Sequence, residues 1–149
     1  MRISARAILL KDDSLLVMRR SKLGRQYYAL VGGGVDEGET PEEALHRELD
    51  EEASLAVANP RLVILQIGGK KFGKQYIYLC DYIGGEPKLS PDSEEAIIHA
   101  QGQNLYEPMW LPLTDLPNVE FLPHELRAAI LDGLKNGFPA RPVELKISE

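Results

Sequence analysis

Glu48, Glu51 and Glu52 fall within one run of helix-forming residues, and their spacing decides where their charges point. At about 100° per residue, with Glu48 as origin, Glu52 lies near +40° and Glu51 near −60°, so the three share one arc. Leu45 and Leu49 lie at about +60° and +100°, an apolar flank able to pack on a sheet, while Ala44 at about −40° leaves room above the acids. Carboxylates gathered beside a core repel one another, and their pKa values rise unless they are protonated, dispersed or neutralised. A hard divalent cation neutralises them. Mg²⁺ typically takes a few carboxylates plus substrate phosphates and keeps several waters. A solvated acidic helix face is the competing explanation, and the spacing alone does not separate the two.

The helix that carries these acids has a well-marked start. Thr40 can cap with its hydroxyl, Pro41 fits the first helical position and Glu43 completes a T-x-x-E capping box, which predicts a helix from Pro41 to about Ala53. Before it, Ile3 to Leu10 and Leu15 to Arg19 are apolar runs parted by Lys-Asp-Asp-Ser, a hairpin signal, and Tyr27 to Val31 is a short third run ending at three glycines. After it, Leu62 to Ile67 and Gln75 to Ile83 read as a second hairpin joined by GGKKFGK. A polar stretch follows, expected to be loop with a short ordered piece at Glu94 to His99. Leu105 to Leu113 reads as a strand that Pro108 places at an edge or bulge. Leu126, Ile130 and Leu134 mark a second helix from Pro123 to Lys135. This order of elements predicts an α/β fold, a mixed β-sheet covered by helices.

The 149 residues fit a single domain over 1–149, with a tail from about 138 to 149 expected to be loosely held. A net charge of −6 argues against broad binding to nucleic acid or to an anionic membrane. It leaves room for a small phosphorylated ligand, because a bound cation inverts the local sign. One cysteine, Cys80, rules out an internal disulfide and suits a reducing cytosol, so a cytoplasmic location is expected. Lys11, Asp12 and Asp13 interrupt the first apolar run too early for a membrane-spanning helix.

Gly33, five residues, Glu39, seven residues, then Arg47-Glu48-Leu49, Asp50 and Glu51-Glu52 resembles the signature box of the Nudix (MutT-like) hydrolases. Leu49 and Leu55 occupy the two aliphatic positions, and Trp110 to Pro117 resembles the late strand and turn of that family. Two positions depart from the pattern: Val31 stands where a proline often precedes the glycines, and Ser54 stands where the box has a glycine. A serine held in the left-handed geometry that such a glycine serves costs on the order of 1 kcal/mol. The expectation is a local cost at the helix end with the chemistry retained.

The resemblance implies a Nudix-type α-β-α sandwich. It also implies divalent-metal-dependent hydrolysis of a pyrophosphate bond in a nucleoside diphosphate linked to another group. Glu48, Glu51 and Glu52 would be metal ligands, with the Gly32 carbonyl a further oxygen. Mg²⁺ is the expected ion and Mn²⁺ the alternative. Arg47 would orient a box glutamate, Gly33 and Glu39 would shape the motif, and Arg20, Tyr28 and Glu95 are candidate substrate contacts. The general base stays open between Glu48 and a later carboxylate, Glu94, Glu95 or Glu107. The expected partner is a small nucleotide, with no nucleic acid, no membrane and a homodimer allowed. A catalytically weak module that senses a nucleotide metabolite is the alternative function. His46, His99, His124, Cys80 and Trp110 read as structural or exposed.

Overall fold

The computed structural model describes residues 2–68, 73–91, 93–100, 102 and 104–148, and at 94 the backbone alone. Lys70 and Lys71, within the predicted turn of the second hairpin, lie outside the described residues, as does the side chain of Glu94. Strands β1 (Ile3–Lys11) and β2 (Ser14–Lys22) form the first hairpin, followed by β3 (Arg25–Ala29) and the three-glycine strand β4 (Gly32–Gly34). Helix α1 (Pro41–Ala53) leads into β5 (Ala56–Gly68) and β6 (Gly73–Gly84), then into helix α2 (Glu94–Ala100) and β7 (Asn104–Pro112). Helix α3 (His124–Asn136) and β8 (Val143–Ile147) complete the chain.

The sheet is mixed. β1 pairs in parallel with β6 and antiparallel with β4, and the β5–β6 hairpin extends the sheet to β8, which pairs in parallel with β5. β2 leaves β1 after the hairpin turn and takes β3 on one side and β7 on the other. β7 has β2 as its strand partner, and Pro108, which has no amide proton for a ladder, sits opposite Met18 on this outer strand.

Two cores lie on the two sides of the sheet. Ala5, Ala7 and Leu9 of β1 pack with Ala44, Leu45, Leu49 and Ala53 of α1, the small alanines letting the helix come close. Ile8, Val17, Ile64 and Ile77 pack instead with Phe121, Leu126 and Ile130 near and within α3. With α1 and α3 in different cores, the arrangement is the expected α-β-α sandwich.

α1 begins and ends where its caps dictate. The Thr40 hydroxyl accepts from the Glu43 amide at 3.1 Å and the Glu43 carboxylate accepts from the Thr40 amide at 2.9 Å. Ser54 terminates the helix at φ 55°, ψ 37°, the left-handed geometry for which glycine is the usual residue.

The tail departs from expectation. Residues 143–147, expected to be loosely held, form β8, and Ile147 is buried. Val143, Leu145 and Ile147 alternate with polar residues, and Val143 and Leu145 pack against the α3-side core, which gives the strand a reason to dock on β5.

Candidate active site

β4 crosses beneath α1, and close approach requires glycine at 32, while the bare backbone at 33 leaves the Glu48 carboxylate its position. A Cβ on Gly33 would fall 2.6 Å from the Glu48 carboxylate carbon, and one on Gly32 only 2.1 Å from the Ala5 carbonyl oxygen. The bare strand therefore lets two carboxylates of α1 lie against the backbone. Glu52 is buried and accepts a hydrogen bond from the Gly32 amide at 3.1 Å. Glu48 is largely buried and takes a charge-assisted bond from Arg47 at 2.8 Å. Burial raises the pKa of both, Glu52 to about 8. At Glu52 the desolvation outweighs the attraction of the Arg6 guanidinium, and the charge of Glu48 adds to it.

Arg47 gathers the outer part of this unit. Its guanidinium reaches Glu39 at 2.7 and 2.9 Å, the Gly34 carbonyl at 2.9 Å and Glu51 at 3.3 Å, as well as Glu48. Glu39 also accepts from the Asp36 amide at 2.9 Å. Glu39 and Arg47 thus tie the loop after β4 to α1. Arg47 holds the Glu39 carboxyl down at about 2, with the Asp36 amide assisting.

Glu48, Glu52 and Glu95 line one open cleft of ≈780 Å³, a volume suited to a small ligand. Glu95 projects from α2, and its charge acts on both box glutamates. The same cleft is lined by Arg20, whose guanidinium lies 3.8 Å from the Tyr106 ring centroid and 5.7 Å from that of Tyr27. Arg20 also donates to the Leu105 carbonyl at 3.3 Å, and in the strand register it stands between Tyr27 of β3 and Tyr106 of β7. Arg2, Lys22 and Arg25 add positive charge to the lining.

Several candidates are placed differently from expectation. Glu51 is outside the cleft lining, half-exposed and turned to Arg47, and among the described residues no three acidic, histidine or cysteine side chains converge as a metal cluster. Tyr28 points into the α3-side core, and its neighbour Tyr27 faces the cleft, because alternate residues of β3 take opposite faces. Glu107 stands opposite Arg19 in the β2–β7 ladder and pairs with it at 2.9 Å, away from Glu48 and Glu52. None of the three histidines lines the cleft: His99 accepts from the Tyr106 amide at 3.2 Å, and His124 lies 3.3 Å from Glu120.

Arg6 is the functional neighbour that the sequence reading missed. It donates to the Leu30 carbonyl at 2.9 Å, the Gly32 carbonyl at 3.4 Å and the Gln75 side chain, joining β4 to β1 and β6. Its signal was available, as a cation between two buried alanines in a largely apolar strand.

The donor chemistry suits a hard divalent ion. Glu48 and Glu52 bring oxygen donors to one wall of the cleft, and their raised pKa values mark a place where added positive charge relieves desolvated negative charge.

Comparison with known proteins bears on the chemistry. The family model described as NUDIX domain matches residues 1–131. The NAD-capped RNA hydrolase NudC of Photobacterium profundum is 28% identical over 109 residues, covering 73% of this chain and 37% of that protein. The ADP-ribose pyrophosphatase of Methanocaldococcus jannaschii is 32% identical over 99 residues, covering 63% of this chain and 59% of that protein. The chain therefore spans less than two thirds of the length of both relatives. The crystal structure of the MutT NUDIX hydrolase from Burkholderia pseudomallei superposes with a TM-score of 0.62 at 28% identity, covering 87% of this chain and 95% of that one.

Proposed function

Since the chain belongs to the NUDIX domain family, we propose that it hydrolyses a pyrophosphate bond in a nucleoside diphosphate linked to another group, with water attacking phosphorus. The observation that carries this reading is a single cleft lined by three carboxylates and by an arginine set between two tyrosine rings. The first set suits a metal–pyrophosphate centre. The second suits the planar, anionic body of a nucleotide. Relatives named for ADP-ribose and for NAD-capped RNA make ADP-ribose-like compounds the first substrates to test.

Glu48 and Glu52 would hold Mg²⁺, or Mn²⁺ in its place, with the Gly32 carbonyl as a further oxygen and Glu51 contributing after release from Arg47. When bound, such an ion would supply charge neutralisation and would acidify the attacking water. Arg47 orients Glu48, and Glu39 holds Arg47. Arg20 positions the phosphate or the base while its stacking on Tyr106 limits its freedom. Glu95, which lines the cleft with Glu48 and Glu52, is the later carboxylate placed to accept a proton from water; Glu107 lies outside that lining. Among the described residues no helix is long and apolar enough to cross a membrane, and the lone cysteine supports a cytoplasmic setting.

A panel of ADP-ribose, NADH, dinucleoside polyphosphates and nucleoside triphosphates, assayed with Mg²⁺ and with Glu52→Gln as blank, tests the reading. Phosphate-monoester products from at least one compound are expected. A chain that binds these compounds and turns over none of them is a sensor instead.

A further inference from the structure

Ser54 is the residue that departs from its box, and its surroundings give the departure a use. Its hydroxyl donates to the Lys88 carbonyl at 2.6 Å. Around it, the chain after β6 closes on the last turn of α1: the Lys88 amide donates to the Ala53 carbonyl at 2.9 Å and the Ser90 amide to the Glu51 carbonyl at 2.8 Å. These are helix-end carbonyls that have no partner within the helix. The bonding continues from there. The Ser90 carbonyl accepts from the Ser93 amide at 3.0 Å and the Ser93 hydroxyl at 2.8 Å, and that hydroxyl accepts from the Ala96 amide at 3.1 Å. Ala96 follows Glu95 on α2. A connected series of hydrogen bonds thus runs from the end of the helix bearing Glu48 and Glu52 to the turn bearing Glu95.

We propose that the C-terminal end of α1 is a clamp that sets Glu95 in the cleft, and that Ser54 is its positioning residue. A glycine at 54 would adopt φ 55° without strain but would have no hydroxyl for the Lys88 carbonyl. Serine accepts the local strain and gains a tether between two carboxylate-bearing elements. Ser54 touches no substrate. It acts through the 88–90 segment and α2. The inference rests on the hydrolase reading for its catalytic consequence and on hydrogen bonding alone for the clamp.

Ser54→Gly and Ser54→Ala test it, because the first relieves the strain, the second keeps it, and both delete the hydroxyl. Hydrogen exchange of the Lys88, Ser90, Ser93 and Ala96 amides is expected to quicken about fivefold in both variants, with the β1 amides unchanged. With ADP-ribose as probe, kcat is expected to fall on the order of tenfold with KM within about twofold, and to fall no further when Ser54→Ala is added to Glu95→Gln. Unchanged exchange in both variants overturns the clamp. Faster exchange with wild-type kcat overturns the positioning role and leaves the hydrolase reading standing. A wild-type chain that hydrolyses none of the panel removes the hydrolase reading, and the exchange data then decide the clamp on their own.

Discussion

Glu39 and Glu52 lie in the same loop–helix unit and have opposite electrostatics. Glu39 is partly exposed, bonded twice by the Arg47 guanidinium and once by a backbone amide, and its carboxyl is held at about 2. Glu52 is buried against β4 with one amide bond, and its carboxyl is pushed up to about 8. The first arrangement stabilises the loop that carries the glycines. The second leaves a carboxyl that ionises at a cost in the free protein and is favourable once a cation neutralises it. Two acids of one loop–helix unit can therefore serve opposite ends, and burial together with partner count decides which.

Removing one member of each kind breaks this comparison most directly. Glu52→Gln keeps the shape and the amide contact while deleting the charge, so kcat should fall on the order of 10²- to 10³-fold, with the folded state retained by circular dichroism. Near-wild-type turnover would show that Glu52 is structural. Arg47→Ala strips Glu39 and Glu48 of their shared partner and should lower stability by about 2 kcal/mol, read as a drop of about 6 °C in Tm. Arg47→Lys should restore little of it, since an ammonium cannot bridge Glu39, Glu48 and the Gly34 carbonyl as a guanidinium does.

pH sharpens the contrast, because the two carboxyls pull in opposite directions. The folded-state pKa of Glu52 lies above its unfolded value, so the unfolded chain releases that proton first and stability falls as pH rises from about 4.5 to about 8. Glu39 lies below its unfolded value, so its contribution is present above about 4.5 and is lost as pH falls toward 2. In metal-free protein, chemical denaturation should show the loss between pH 4.5 and 8 in the wild type and a much flatter profile in Glu52→Gln. Mg²⁺ should flatten the wild-type profile as well. An identical slope in the variant would assign it to another group. The smallest effect is expected at Glu107, whose partner Arg19 lies off the cleft: Glu107→Gln should leave kcat within about twofold and stability within about 0.5 kcal/mol.

Much of this arrangement was legible in the residues. The capping box at Thr40 and Glu43 and the proline at 41 located α1, and helical geometry put Glu48 and Glu52 on one arc. Other features depend on register, which local patterns do not contain. Tyr27 and Tyr28 alternate in β3, so one of them had to face the cleft, but the pairing with β2 chooses Tyr27. Strand β4 is three glycines with no β propensity of their own; it is a strand because β1 accepts it. Arg6 was visible as a charge in a buried strand, yet its partners Leu30, Gly32 and Gln75 come from two distant segments. Strand β8 shows apolar alternation, but its polar, proline-containing approach looked like a free tail until β5 supplied an edge.

The placement of β1 carries a consequence for how the protein is made. Residues Ala5 to Leu9 pair with Tyr76 to Cys80, and residues 4–6 pair with the glycines of β4. Strand β1 is therefore flanked by one that leaves the ribosome some seventy residues later. Until β6 has been synthesised, β1 has the glycine strand but lacks the parallel partner beside it in the sheet. The β1–β2 hairpin and α1 are local, but the sheet that carries the cleft closes only through this long-range pairing, which places the cleft among the later parts of the molecule to acquire its final form.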